Sequence, residues 1–218
     1  MHAKSICAVV LDFICLLSGI TIGTLIYKKI SVPFAFVVFL LIIIFIFECA
    51  AWCASEIWQN NLLVYSVGSI IIPVFFFLIY IKKLNTRKTL YHHLSFAILY
   101  LFILINTIYI QSEEPLPTNN QQATCLYFIL LSVFQYNQLL KGPAEMPLSR
   151  NSEFWLNTTL FIYFSGTFVP WVVFNMFLKS AADFDSILEW NYYLTILLYV
   201  GLMVSMLIDA YGRTRPSE

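Results

Sequence analysis

Residues 37–83 read VVFLLIIIFIFECAAWCASEIWQNNLLVYSVGSIIIPVFFFLIYIKK. Two long apolar runs flank the polar turn Trp58-Gln59-Asn60-Asn61, and the second run stops at Lys82 and Lys83. A helix crosses the hydrocarbon of a bilayer in about 20 mostly apolar residues. The stretch therefore predicts a transmembrane hairpin. Five more runs lie around it, and the candidate spans are about 6–27, 32–54, 61–81, 92–110, 123–140, 154–178 and 190–210. The fifth is the shortest and most polar.

The basic residues set the orientation. Of the 12 Lys and Arg, all but Lys4 and Lys179 fall in every second gap: Lys28 and Lys29; Lys82, Lys83, Arg87 and Lys88; Lys141 and Arg150; Arg213 and Arg215. Positive loops stay cytoplasmic. The expected fold is all-α: a seven-transmembrane-helix bundle forming one polytopic domain over residues 1–218, with the N-terminus outside and the C-terminus cytoplasmic.

Composition agrees. Hydrophobic residues make up 60% of the chain and charged residues 11%, against about 45–50% and about 25% in soluble domains. The formal net charge is zero, which gives no bulk field for nucleic acid. The five cysteines (Cys7, Cys15, Cys49, Cys53, Cys125) form no CxxC pair and no zinc spacing. No metal or other cofactor is expected, and a Cys53–Cys125 bridge stays open. The last run contains no lysine, which excludes a retinal Schiff base. His92 and His93 read as interfacial residues. The first run, preceded by Lys4 and followed by no small-residue cleavage site, reads as a retained helix rather than a signal peptide.

The connections are short and polar. The stretches 111–122 (QSEEPLPTNNQQ) and 141–153 (KGPAEMPLSRNSE) read as loops, and 179–189 carries Asp183, Asp185 and Glu189 on the outer side. No connection is long enough for a kinase, nucleotide-binding or DNA-binding module. Tyr27, Trp52, Trp58, Tyr80, Tyr109, Trp155, Trp190, Tyr192, Tyr193 and Tyr211 sit where run meets loop, as an interfacial aromatic belt does.

Polar residues inside the runs are the candidate functional groups, because an ionisable side chain near a helix centre costs at least about 2.5–3.5 kcal/mol in lipid. Asp12 on the first run, Glu48 on the second, Tyr65 and Ser66 on the third, Asn106 on the fourth, Asn175 on the sixth and Asn191 on the seventh share the outer third. Glu48, Trp52 and Glu56 fall on one helical face at i, i+4 and i+8. The expected ligand-binding set is Asp12, Glu48, Trp52, Tyr65, Asn106, Asn175 and Asn191; plain inter-helix hydrogen bonding is the competing reading. A second polar level at the inner side comprises Gln135, Asn137, Gln138, Asn157, Thr158, Thr159 and Asp209, and reads first as inter-helix contacts. Pro73 and Pro170 interrupt the third and sixth runs and predict bends.

Two stretches carry a resemblance: FECAAWCASEIWQNNLLVYSVGSIIIPVFFFLIYIKK (47–83) and SEFWLNTTLFIYFSGTFVPWVVFNMF (152–177). With the seven-run layout they resemble a family of small, uncharacterised seven-helix bacterial membrane proteins often encoded beside sensor histidine kinases. The features shared are Glu48 late in the second run, the Asn60-Asn61 turn, Tyr65, then Phe154, Trp155, Tyr163, Gly166 and Thr167. The family brings no activity. It implies a role beside a signalling partner in the bacterial cytoplasmic (inner) membrane.

The leading expectation is a non-enzymatic sensor or signalling component. It binds a ligand or envelope partner from the outer side and acts on a separate cytoplasmic protein through Lys82, Lys83, Arg87, Lys88 and Arg150. A structural or accessory subunit of a larger membrane complex is one alternative, and a small transporter or pore is another. Its surroundings are membrane lipid and a protein partner. Reporter fusions at residues 85 and 215 are expected to report the cytoplasm together; opposite faces, or a shared outer face, overturn the orientation.

Overall fold

In lipid a backbone amide finds no partner except its own chain, so each apolar run closes its hydrogen bonds internally as a helix. The computed structural model describes residues 3–83, 89–112, 117–141, 147–177 and 184–213; the side chains of 3–8, 83, 89, 174–177, 184–189 and 213 lie outside the described set. Its long helices are α1 (Ala3–Leu25), α2 (Val32–Trp58), α3 (Leu62–Lys83), α4 (Thr89–Ile105), α5 (Thr118–Lys141), α6 (Ser152–Phe177) and α7 (Phe184–Arg213). One π-turn, Asn106–Ile110, continues α4, and a 3-10 turn, Leu148–Arg150, precedes α6. No strand occurs among the described residues.

The protein is a helical membrane bundle. Six helices, α2 to α7, are long and apolar enough to cross a bilayer, and α1 presents the shorter apolar stretch Val9–Leu25. Consecutive helices pack as neighbours and α7 closes the ring against α1. The contacts among α5, α6 and α7 are the most extensive, whereas α4 leans more lightly on α3 and α5. Phe76, Phe128 and Phe164, from α3, α5 and α6, pack ring to ring in the centre, with centroids 4.7 to 5.7 Å apart. The outer faces expose Leu63, Leu90, Leu94, Ile98, Leu101 and Leu130. Such a surface belongs in hydrocarbon.

Three expectations change. Residues 118–122, read as loop, form the first turns of α5, and α7 starts at Phe184 rather than near 190. In α5 the polarity that argued for a loop is used inside the bundle: Thr118 and Asn120 are buried and hydrogen-bonded. Tyr80, read as a belt residue, is only 2% exposed. Tyr27, Trp52, Trp58, Tyr109, Trp190, Tyr193 and Tyr211 are exposed, as the belt requires.

One close approach sets the fit of α6 on α7. A Cβ added at Gly201 would collide with Thr159 Oγ1 and lie 2.9 Å from Thr159 Cβ, whereas one at Gly212 meets nothing within 4 Å. Overpacking of this kind costs about 1–3 kcal/mol. Gly201→Ala is expected to lower the unfolding temperature in detergent and Gly212→Ala to leave it unchanged. Thr159→Ala added to Gly201→Ala should recover part of the loss; equal melting of the two single variants contradicts the packing.

Candidate functional site

The α2–α3 hairpin builds the first half of the site. Gln59 ends α2 in the left-handed conformation, with φ 52°, and Asn60 Oδ1 accepts the Leu62 amide at 3.0 Å. This tight reversal brings the end of α2 beside the start of α3. Tyr65 Oη then donates to Glu48 Oε2 at 3.4 Å.

Behind that pair lies a cavity of about 170 Å³. It occupies the half of the bundle away from the Lys- and Arg-rich gaps. Helix α2 contributes Glu48 and Phe47; α3 contributes Tyr65, Ser69, Pro73 and Phe76; α5 contributes Gln121, Thr124 and Cys125. Helix α6 contributes Tyr163, Phe164, Thr167 and Trp171, and α7 contributes Asn191, Thr195 and Tyr199. Five helices thus converge on a wall that, among the described residues, mixes seven aromatic side chains with as many polar ones. Small-molecule sites combine both kinds of group.

Two of those polar groups have no protein partner. Thr124 Oγ1 and Asn191 Oδ1 are buried and unbonded, and Thr124 as a residue is only 5% exposed. By contrast, Thr167 and Thr195 bond the carbonyls of Tyr163 and Asn191 one turn back, at 2.8 and 2.9 Å. Buried polar atoms are nearly always satisfied, so these two set the wall apart from its bonded neighbours, although Gln135 Oε1 at the opposite end is also buried and unbonded.

Asp12 on α1 does not line the cavity. It is 4% exposed, lies within electrostatic range of Glu48, and its Oδ1 has no partner. Of the seven expected ligand-binding residues, the structure brings Glu48, Tyr65 and Asn191 to the cavity, while Asp12 lies within electrostatic range of Glu48 but off the wall. Trp52 points outward and is 60% exposed. Four residues separate it from Glu48, but α2 turns that position towards the lipid boundary. The side chain of Asn175 lies outside the described set.

Asn106 belongs elsewhere. Its Nδ2 donates to Gln111 Oε1 at 2.8 Å and Asn120 Oδ1 at 2.9 Å, and its Oδ1 accepts from Asn119 Nδ2 at 3.3 Å. Asn120 Nδ2 bonds Thr107 Oγ1 at 2.8 Å, and Gln111 Nε2 bonds Thr118 Oγ1 at 3.2 Å. This network is filled and ties the end of α4 to the start of α5. A more open depression of about 270 Å³ lies beside it, lined by Asn60, Ser66, Thr107 and Gln111, with no carboxyl group among the described residues.

At the opposite end Asn157, Thr158 and Asp209 make the expected inter-helix contacts. By contrast, Gln135 Oε1 is buried without a partner, Asn137 is exposed, and Thr159 bonds the Trp155 carbonyl of its own helix. Tyr80 of α3 shares a 2.6 Å hydrogen bond with Ser132 of α5 and donates to Asn157 Oδ1 of α6 at 3.2 Å. Asn157 Nδ2 in turn bonds the Ser132 carbonyl at 3.1 Å. Asp209 of α7 accepts the Ser31 amide at 2.7 Å and Ser152 Oγ at 3.2 Å. It pins the starts of α2 and α6 together. Of the expected partner-facing cations, Lys82 and Arg150 are exposed; Arg87, Lys88 and the side chain of Lys83 lie outside the described residues.

Cys15, Cys49, Cys53 and Cys125 are free, and Cys125 is buried against Thr167 Oγ1 at 3.4 Å. The open Cys53–Cys125 pairing is therefore not made. No group of three or more His, Cys, Asp or Glu suited to a metal occurs among the described residues.

The sequence reading missed Thr124, Tyr163, Thr195 and Tyr199. A signal was present: Asn191, Thr195 and Tyr199 recur at i, i+4 and i+8 on α7, and Tyr163, Thr167 and Trp171 do so on α6. No protein-family model, curated protein or solved structure matches the chain.

A buried hydroxyl without a partner costs stability, just as deleting one partner of a buried bond costs about 1–3 kcal/mol. Thr124→Val is expected to melt at or above the parent, and Asn106→Leu well below it. A large loss in Thr124→Val, or none in Asn106→Leu, contradicts this assignment.

Proposed function

We propose that the protein is a sensor or signalling component of the bacterial cytoplasmic membrane, taking a small ligand into the Glu48–Tyr65 cavity from the outer side. The carrying observation is a five-helix cavity with unbonded polar atoms on its wall. The basic gaps supply the orientation, and the family resemblance supplies the setting beside a signalling protein.

Helices α3, α5, α6 and α7 all connect the cavity to the basic end. Helix α6 carries Tyr163, Thr167 and Trp171 at the cavity, and Asn157 in the cluster with Tyr80. Helix α7 carries Asn191, Thr195 and Tyr199 at the cavity, and Asp209 at the junction with α2 and α6. Pro73 and Pro170 lie at cavity depth inside α3 and α6, where a missing backbone bond lowers resistance to bending. A ligand that prefers one arrangement of these helices shifts the population towards it. The change then reaches Lys82 and Arg150, where a cytoplasmic partner can read it. The connections between helices are too short to hold an effector domain, so the output falls to that partner.

Cross-linking and purification from native membranes is expected to recover a signalling protein with the wild type. Substitutions at Lys82 and Arg150 are expected to reduce that recovery. Repeated preparations that yield no such protein overturn the proposal.

A further inference from the structure

We infer that the cavity takes a small organic ammonium ion, held by the Glu48 carboxylate and the surrounding aromatic rings. This deepens the sensor reading by naming the chemical class of its ligand, and it rests on the same cavity.

Charge is the first argument. Glu48 lines the cavity and Asp12 stands within electrostatic range of it. No Lys, Arg or His lines the cavity among the described residues. Charged groups kept inside a bundle usually have a counter-ion, and none of the described lining residues supplies one. Tyr65 gives Glu48 one hydrogen bond, at 3.4 Å; the Asp12 Oδ1 has none. A cation entering from outside completes the balance.

The second argument is the wall itself. Tyr65, Phe76, Tyr163, Phe164, Trp171 and Tyr199 present aromatic rings around the space. Ring faces attract cations, and most strongly where water is excluded. An alkyl-substituted ammonium suits such a wall better than a hydrated inorganic ion, since its carbon atoms pack on the rings.

Hydrogen-bond acceptors give the third argument. Asn191 Oδ1 and Thr124 Oγ1 are buried and unbonded, and Thr124 is nine-tenths buried or more. Both can accept from an N–H or hydroxyl group on the ligand. Size closes the case: a cavity of about 150 Å³ holds a benzene-sized molecule, and this one is about 170 Å³. A divalent metal fits poorly, because no group of three acidic, His or Cys ligands exists among the described residues.

The test uses the full chain in lipid nanodiscs. Tetramethylammonium, choline, benzylamine and cyclohexylamine are titrated, with the uncharged choline isostere 3,3-dimethylbutan-1-ol as the control. Tryptophan fluorescence, with Trp171 on the wall, and the unfolding temperature are the readouts. At least one cation is expected to bind saturably and raise the unfolding temperature. Choline should bind at least about tenfold more tightly than its isostere, and Glu48→Gln should weaken the bound cation by a similar factor. Should Glu48→Gln give no folded protein, the comparison of choline with its isostere in the wild type decides alone.

Binding of none of the four cations overturns the inference, as does equal affinity for the uncharged alcohol or wild-type affinity in Glu48→Gln. Tight binding of the alcohol sinks the charge argument and leaves the sensor reading in place. Cation binding that leaves partner recovery unaltered supports this inference and counts against the sensor reading.

Discussion

Lipid offers no hydrogen bonds, and the rest of the structure depends on that. Each backbone closes on itself as a helix, and a polar side chain within the bundle finds its partner either one turn back on its own helix or on a neighbouring one. The chain gathers such groups at separate places. The Asn106–Gln111–Asn120 network joins α4 to α5, and Tyr80, Ser132 and Asn157 join α3, α5 and α6. These groups are occupied with one another. The wall beside Glu48 differs, because Thr124 and Asn191 keep unbonded oxygens there. A structural contact and a binding site use the same residue types. What separates them is whether the protein itself completes the bonding.

The architecture distributes this unevenly. Helices α5, α6 and α7 share the most extensive contacts, and α6 meets α7 across Gly201 and Thr159 at near-backbone distance. Helix α4 leans more lightly on its neighbours and contributes nothing to the cavity wall. Of the helices that line the cavity, α6 is thus the most closely fitted to its neighbours.

Much of this was legible in the sequence. The spans, the turn at 58–61 and the polar partners Glu48, Tyr65 and Asn191 come from run length, turn chemistry and the cost of burying polar groups in lipid. The start of α5 did not, because Thr118, Asn120 and their neighbours look like loop residues until their partners on α4 are known. Tyr80 looked interfacial by position, and only Ser132 and Asn157, more than 50 residues away, make it a core residue. Trp52 shares a helical face with Glu48 by spacing alone, while the packing of α2 turns it outward. Asn106 looked like a ligand group by depth and is a saturated structural one. The aromatic and Thr residues of the cavity were hidden among runs where such residues are ordinary.

The π-turn at Asn106–Ile110 has a consequence for how this chain tolerates change in length. Its wider winding is closed by the Gln111 amide on the Asn106 carbonyl, five residues back, at 2.7 Å. Ordinary α winding turns the chain through nearly the same angle with one residue fewer. Removing one residue from the turn would therefore leave the helix before it and the chain beyond it in almost the same rotational phase. The surplus residue acts as a length buffer, and a deletion there should do less harm than one in the regular part of α4.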